Sequence, residues 1–386
     1  MKIEEQNIDA LYHQEESGSG NRLPASIREW KQKAENILQK EAFEYIARGS
    51  GEEATLRSNR KAFNNWQISH RVLRNVSNRE LSISLFGKRI SSPLLLAPIG
   101  VQTIAHPEGE LASARAAADM DIPFITSTAA TYSMEEIANE MGDSPRWFQL
   151  YNSNNDRVTE SMVKRAEACG YSAIVVTVDT PVLGHREFDL QNSYSPLKEG
   201  KGNGNYISDP AFCEMLEKSP RKDMKAAIQK QMELFENPSL TWEDIEKIRK
   251  YSKLPILLKG IVDPEDAKIA LNYVDGLIVS NHGGRQLDHG IASLDALEKI
   301  CQVIQGEIPV LFDSGIRRGT DVLKAIALGA SAVLLGRPFM YGLATGGEAG
   351  VKRVIQQIQK ELDVSMALSG VRSINEIDSS LLVRQR

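Results

Sequence analysis

Only three cysteines stand among the 386 residues, and Cys169, Cys213 and Cys301 are too scattered, and odd in number, for a disulfide framework. No CxxC, HExxH or Cys/His spacing offers a metal site, so none is expected, and a reducing cytoplasm is the simplest compartment. Long hydrophobic runs are missing too. Residues 93–98, Pro-Leu-Leu-Leu-Ala-Pro, fall far short of the ~20 needed to span a membrane. Residues 1–20 are polar and acidic, without the apolar centre of a secretory signal. Neither sign of charge dominates: 46 Lys and Arg against 51 Asp and Glu leave a net −5, with no like-charged block. Nucleic acid and membrane surfaces are therefore not expected partners.

What is present is an ordinary globular composition, 41% hydrophobic, able to bury a core without disulfides or metals. The length fits two domains, or one α/β barrel of about 250 residues with additions. Residues 27–48 read as one or two helices, because Trp30, Ala34, Ile37, Leu38 and Phe43 recur at helical spacing. A further helix is expected over 52–63. From residue 93 short apolar runs alternate with helical patterns, at 94–98, 124–127, 148–151, 173–179, 256–259, 277–281, 310–313 and 333–336. They are too apolar to alternate, as parallel strands buried on both faces are. Eight such units, with no GxGxxG after the first strand, predict a (β/α)8 TIM barrel rather than a doubly wound sheet. The expected organisation is one domain over 1–386: a helical arm (1–92), the barrel (93–345) and a C-terminal helix and tail (346–386).

One interval breaks the rhythm. The stretch between strands four and five is much the longest, and its Gly- and Asn-rich centre is followed by a charged amphipathic segment, 218–236. Loops this long inside a compact domain are usually functional lids or disordered. Emerging where barrel active-site loops do, residues 186–240 are expected to form a lid, with a disordered insert as the plainer alternative.

The strands end in chemistry. Pro98-Ile99-Gly100, Ser127, Gln149 through Tyr151, Thr177 through Asp179, Lys259, Ser280-Asn281-His282, Asp313-Ser314-Gly315 and Gly336-Arg337 would converge on one mouth. Any one of them has a structural explanation, such as capping the next helix. Together they do not, because unpaired buried polar groups cost stability. His282 can accept a proton near neutral pH, and Arg285 can hold a carboxylate with two prongs. A base beside such a clamp suits proton abstraction from a 2-hydroxy acid. Asp179 is a candidate to orient His282 or balance a cation. Lys259 keeps two roles open: a Schiff-base nucleophile, as in barrel aldolases, or a fixed charge for a cofactor anion. Gly315, Gly319, Gly336, Arg317 and Arg337 form a phosphate signature after strands seven and eight. A phosphate handle, a strand-five lysine and a histidine base together suggest a phosphorylated cofactor such as FMN.

The motif Ser280-Asn281-His282-Gly283-Gly284-Arg285-Gln286-Leu287-Asp288, with Val178-Asp179-Thr180-Pro181 and Asp313-Ser314-Gly315-Ile316-Arg317-Arg318-Gly319, closely resembles the FMN-dependent 2-hydroxy acid oxidases and dehydrogenases. Glycolate oxidase, lactate oxidase and lactate 2-monooxygenase belong to that family. The likeness runs from about Ala42 to about Ser373. It implies that His282 takes the substrate's proton, that Asp179 stabilises the imidazolium, and that Arg285 with Tyr45 binds the substrate carboxylate. Arg186 resembles a second, more mobile arginine, and Tyr151 would hydrogen-bond the substrate. Lys259 would face the flavin and stabilise its reduced anion. Pro98, Ile99, Gly100, Ser127, Gln149, Thr177, Ser280 and Asp313 would complete the FMN contacts, with Gly315, Arg317, Gly336 and Arg337 around the phosphate. A homotetramer is implied in the same way.

Three departures lean toward the lactate branch: Ala129 where glycolate oxidases tend to carry a large aromatic, Asp313-Ser314-Gly315 for Asp-Gly-Gly, and Gly100 where many members have Ala. Gly100 and the long insert resemble lactate 2-monooxygenase, in which trapped keto acid is decarboxylated. The expectation is therefore L-lactate oxidation with O2, coupled to decarboxylation; release of pyruvate and H2O2 comes next. A Schiff-base aldolase and a non-catalytic binding module are the distant readings.

Overall fold

The computed structural model describes residues 24–385; the polar stretch 1–20 lies outside them. Three short strands come first: β1 (Trp66–Ile68), β2 (Ile83–Leu85) and β3 (Lys88–Ile90). Eight parallel strands follow: β4 (Leu94–Leu96), β5 (Phe124–Ser127), β6 (Arg146–Leu150), β7 (Ile174–Thr177), β8 (Ile256–Ile261), β9 (Gly276–Val279), β10 (Val310–Phe312) and β11 (Ala332–Leu335). They close in chain order, with β11 pairing β4, into the expected (β/α)8 barrel. A last strand, β12 (Leu382–Arg384), pairs antiparallel with β1.

Alternate residues of the barrel strands serve two cores. Leu95, Ile125, Val175, Leu257, Ile278 and Leu334 pack inside the barrel. Leu96, Phe148, Val176, Leu258, Val279 and Leu335 pack outward with the helices. Apolar demand on both faces is why the runs do not alternate. The β2–β3 hairpin closes the N-terminal end: Leu85 and Ile90 join the interior cluster, and Phe86 meets Trp147 edge-on at 5.7 Å.

The 27–48 region forms two helices, Ile27–Ile37 and Lys40–Ala47, because Leu38 turns to an extended conformation at ψ 152°. Ser26 caps the first by accepting from Glu29 N, and Trp30 Nε1 donates to Gln357 on the C-terminal helix at 3.1 Å. The helical stretch Arg337–Ser369 is two helices that meet at a kink, where Gly346 and Gly347 leave helical geometry, the latter at φ 55°.

The insert after β7 is built rather than loose, carrying helices Glu187–Gln191, Gly204–Ile207, Pro210–Cys213 and Met224–Phe235. Its centre is pinned through Asn205, which is wholly buried. The Asn205 side chain accepts from Met134 N at 2.7 Å and donates to Ser127 O and Thr128 O. Asp209 is equally buried and pairs with Arg165 at 2.9 Å. Among the described residues no helix is long and apolar enough to cross a membrane.

Most strands stop short of the expected limits at their C-terminal ends. Residues 97–98, 151, 178–179, 280–281, 313 and 336 leave the ladder. Ala97 N, Val178 N and Asp313 N still donate to Leu335 O, Lys259 O and Val279 O there, and beyond these bonds the chain turns out around the barrel mouth.

Candidate active site

The mouth opens into a cleft with about 1190 Å³ of space, open solvent included. Its wall includes Pro98, Ile99, Gly100, Ser127, Lys259, Asp313, Gly315, Arg317, Gly336 and Arg337, and also Tyr45, Tyr151, Arg186, His282 and Arg285. Asp179, Gln149, Thr177 and Ser280 stand behind that wall rather than in it.

His282 follows β9 in the left-handed region, φ 58°, which is uncommon for a side-chain-bearing residue and occurs where function holds it. Its neighbour Gly283 shares that conformation at φ 66°, and a Cβ there would lie 2.7 Å from an Arg337 nitrogen. His282 N donates to Ser280 Oγ at 3.1 Å, and Gly283 N to Ser314 Oγ at 3.0 Å. Asp179 Oδ1 lies 3.0 Å from His282 Nδ1. With Nδ1 so engaged as a donor, neutral imidazole presents an unprotonated Nε2. Burial pushes the His282 pKa down, and Lys259 and Arg186 add to this against the upward pull of Asp179. Burial pushes Asp179 up, but His282 and Lys259 outweigh it and hold the carboxyl below its usual range. Gln286 braces the pair, donating through Nε2 to Asp179 O and Val182 O, both at 2.9 Å.

Lys259, at the end of its apolar run in β8, is 4% exposed and bound to Asp313 Oδ2 at 3.2 Å and Ser280 Oγ at 2.9 Å. Burial lowers its pKa, but Asp313, Asp179 and Tyr151 more than compensate, so it is held charged. A Schiff-base lysine must become neutral. The fixed-charge role is the one this environment favours. Tyr151 is half-buried on the cleft wall, where desolvation pushes its hydroxyl up to about 12, so it remains a donor.

Three arginines differ from Lys259 in having no ion-pair partner among the described residues. Arg285 donates to Tyr45 O and lies 4.8 Å over the Tyr45 ring. Burial and the neighbouring Arg186 bring its pKa down to about 10. Arg337 reaches Ile46 O, Arg48 O and Gly283 O at 2.8–3.0 Å, and burial brings it to about 9. Arg317 donates to its neighbour Ile316 O and is lowered by burial. Partly buried cations resting on carbonyls alone are costly, and an anionic ligand relieves them. Arg285 stands beside the base, Arg317 and Arg337 belong to the phosphate signature, and Arg285 and Arg337 both donate to Arg48 O, so the cleft suits a carboxylate together with a phosphate. Gln149 tests the fit of a flavin between them. Its Oε1 accepts from Ser127 Oγ at 3.0 Å, while its buried Nε2 has no partner. A planar heterocycle rich in acceptors satisfies such a donor.

Several contributors carry no sequence signal of their own. Leu197 and Phe235, from the insert, line the cleft, and Phe235 stacks 4.9 Å from Tyr151. Gln286 sits inside the signature motif, but its bracing role depends on a loop about 100 residues away. Gly100 is tied to Ala129: a Cβ there would lie 2.6 Å from Ala129 O.

Abstraction of a proton beside a carboxylate clamp, next to a phosphate-anchored redox cofactor, defines a flavin-dependent barrel oxidoreductase of hydroxy acids. The FMN-dependent dehydrogenase family model matches residues 34–384, and the chain belongs to that family. An L-lactate oxidase of Lysinibacillus sphaericus is 50% identical over 343 residues, 89% of this chain and 88% of that protein. A 2-hydroxyacid oxidase of Dictyostelium discoideum is 40% identical, over 94% of this chain and 91% of its own length. A crystal structure of mandelate oxidase superposes with a TM-score of 0.83 at 37% identity, over 94% of this chain and 99% of that one. The enzyme uses FMN to oxidise a 2-hydroxy acid.

Proposed function

We propose that the substrate is L-lactate and that O2 takes the electrons, with pyruvate and H2O2 leaving separately. The observation that carries this reading is the His282–Asp179 pair, 3.0 Å apart, set beside the unpaired Arg285 in one cleft. Arg285 and Tyr45 hold the carboxylate, Arg186 assists, and Tyr151 donates to a substrate oxygen. His282 Nε2 accepts a proton, and Asp179 stabilises the imidazolium that results. FMN supplies the two-electron acceptor. Lys259, Ser127, Gln149, Thr177, Ser280, Asp313 and the loop 98–100 would hold its ring side, and Gly315, Arg317, Gly336 and Arg337 its phosphate. Lys259 would place a fixed positive charge beside the ring. Ala129, Leu197 and Phe235 give the cleft apolar walls suited to a small side chain. The 50% identity to a named L-lactate oxidase supports the same choice.

A second reading, in which the H2O2 formed beside trapped pyruvate oxidatively decarboxylates it to acetate, CO2 and water, is favoured by Gly100 and by the pinned insert. Gly202 of the insert packs on the same Ala129 carbonyl as Gly100, each with a Cβ position 2.6 Å away. Aerobic turnover of L-lactate separates the two. Pyruvate with equal peroxide supports the first reading, and acetate without peroxide replaces it with the second. If anaerobic L-lactate leaves the flavin yellow while another 2-hydroxy acid bleaches it, the substrate assignment fails.

A further inference from the structure

Glu110 is wholly buried and has no cationic partner within ion-pair distance among the described residues. It lies in the first turn of helix Gly109–Asp119, a place that favours a carboxylate. Its oxygen is nevertheless spent outside the helix. Oε1 accepts from Gln102 N at 3.0 Å and from Thr131 N at 3.1 Å, while Oε2 has no partner. These two N–H groups belong to the loops after β4 and β5, which supply the cleft residues Ile99, Gly100, Val101 and Ala129.

The loop after β4 needs holding. Val101 sits at φ 52°, a left-handed conformation that is a genuine outlier for a β-branched residue. Such strain persists only where surrounding bonds over-determine it. Val101 N donates to Ala129 O at 2.9 Å, and Gln102 Nε2 to Ile99 O at 3.0 Å. Ser113 Oγ fixes the Gln102 side chain at 2.7 Å. Glu110 supplies the bond to Gln102 N that completes the turn. From Thr131 the network runs on to the insert: Thr131 Oγ1 meets Thr103 Oγ1 at 2.9 Å and accepts from Gly202 N at 3.3 Å.

We infer that Glu110 is a positioning residue, whose single oxygen clasps the two cleft loops and so sets the wall formed by Ile99, Gly100, Val101 and Ala129 against the flavin. The carboxyl is retained despite its desolvation, which pushes its pKa up to about 6. The inference rests on the FMN site but not on the choice of substrate, so an enzyme that ignores lactate leaves it testable.

The test uses the full chain reconstituted with FMN and titrated with sulfite, which adds to the oxidised flavin and bleaches it. Wild type that fails to take up FMN would count against the flavin site itself. Glu110→Ala loses the acceptor and Glu110→Asp withdraws it by one methylene; each is expected to weaken sulfite binding by about tenfold and to shift the flavin's visible spectrum. Glu110→Gln keeps a carbonyl oxygen for both N–H groups and is expected to stay within about threefold of wild type. A merely structural residue would lower Tm without moving sulfite affinity per bound flavin. The inference is overturned if Asp binds sulfite within about twofold of wild type, or if Gln is as impaired as Asp. Should Glu110→Ala not fold, the Asp and Gln variants decide the matter.

Discussion

The centre of the cleft and its flanks carry charge in opposite ways. At the centre the cation and the base each have an acidic partner: Lys259 has Asp313, and His282 has Asp179. At the flanks Arg285, Arg317 and Arg337 hang on backbone carbonyls, with pKa values pulled down by burial. Paired groups are set for moving protons and holding charge; unpaired ones are set for receiving an anion. The difference separates groups that act in turnover from groups that bind, and mutation of each kind ought to break a different measurement.

The largest effect is expected at the paired centre. His282→Ala removes the base and is expected to slow anaerobic flavin reduction by roughly 10²–10⁴-fold while FMN stays bound. Near-normal bleaching would take His282 out of the role. Arg285→Lys keeps the charge but loses the fork, so substrate Kd is expected to rise about 10- to 100-fold with little change in FMN affinity. An unchanged Kd would place the carboxylate elsewhere. Arg337→Gln, in the phosphate signature, is expected to weaken FMN binding by about tenfold, with substrate affinity per bound flavin unaltered. If the two arginine variants affected both ligands alike, the division of roles between them would fail.

The smallest expected effect is a shift on the pH axis. His282 must be neutral to accept a proton, and its pKa is pushed down, so activity is present above that lowered pKa and lost as pH falls through it. The acid limb of kcat/KM is therefore expected below the ~6.5 of an ordinary histidine. Asp179 pulls that pKa up, so Asp179→Asn ought to move the limb still lower while reducing the rate. A limb moving upward would mean that Asp179 does not stabilise the protonated ring.

Much of this was legible in the chain. Eight apolar runs announce the barrel, since each strand must be apolar on both faces. The residues that end them announce the mouth, since Lys259, His282 and Asp313 have no business in a purely structural core. What could not be read are contacts made by backbone atoms far apart in sequence. Arg337 ends on Ile46 O, and Glu110 on Thr131 N, and neither partner has a side-chain identity that advertises the bond. The insert was readable as an interruption but not as a built piece, because Asn205 and Asp209 look like loop residues until Ser127 O and Arg165 are placed against them.

The β2–β3 hairpin gives the barrel a floor. With Phe86 wedged on Trp147 beneath the strands, the barrel interior is stopped at its N-terminal end, and the cleft lined by Phe235 and Leu197 lies at the opposite mouth. If product leaves by that mouth, replacing Phe235 or Leu197 ought to change its release rate together with substrate selectivity.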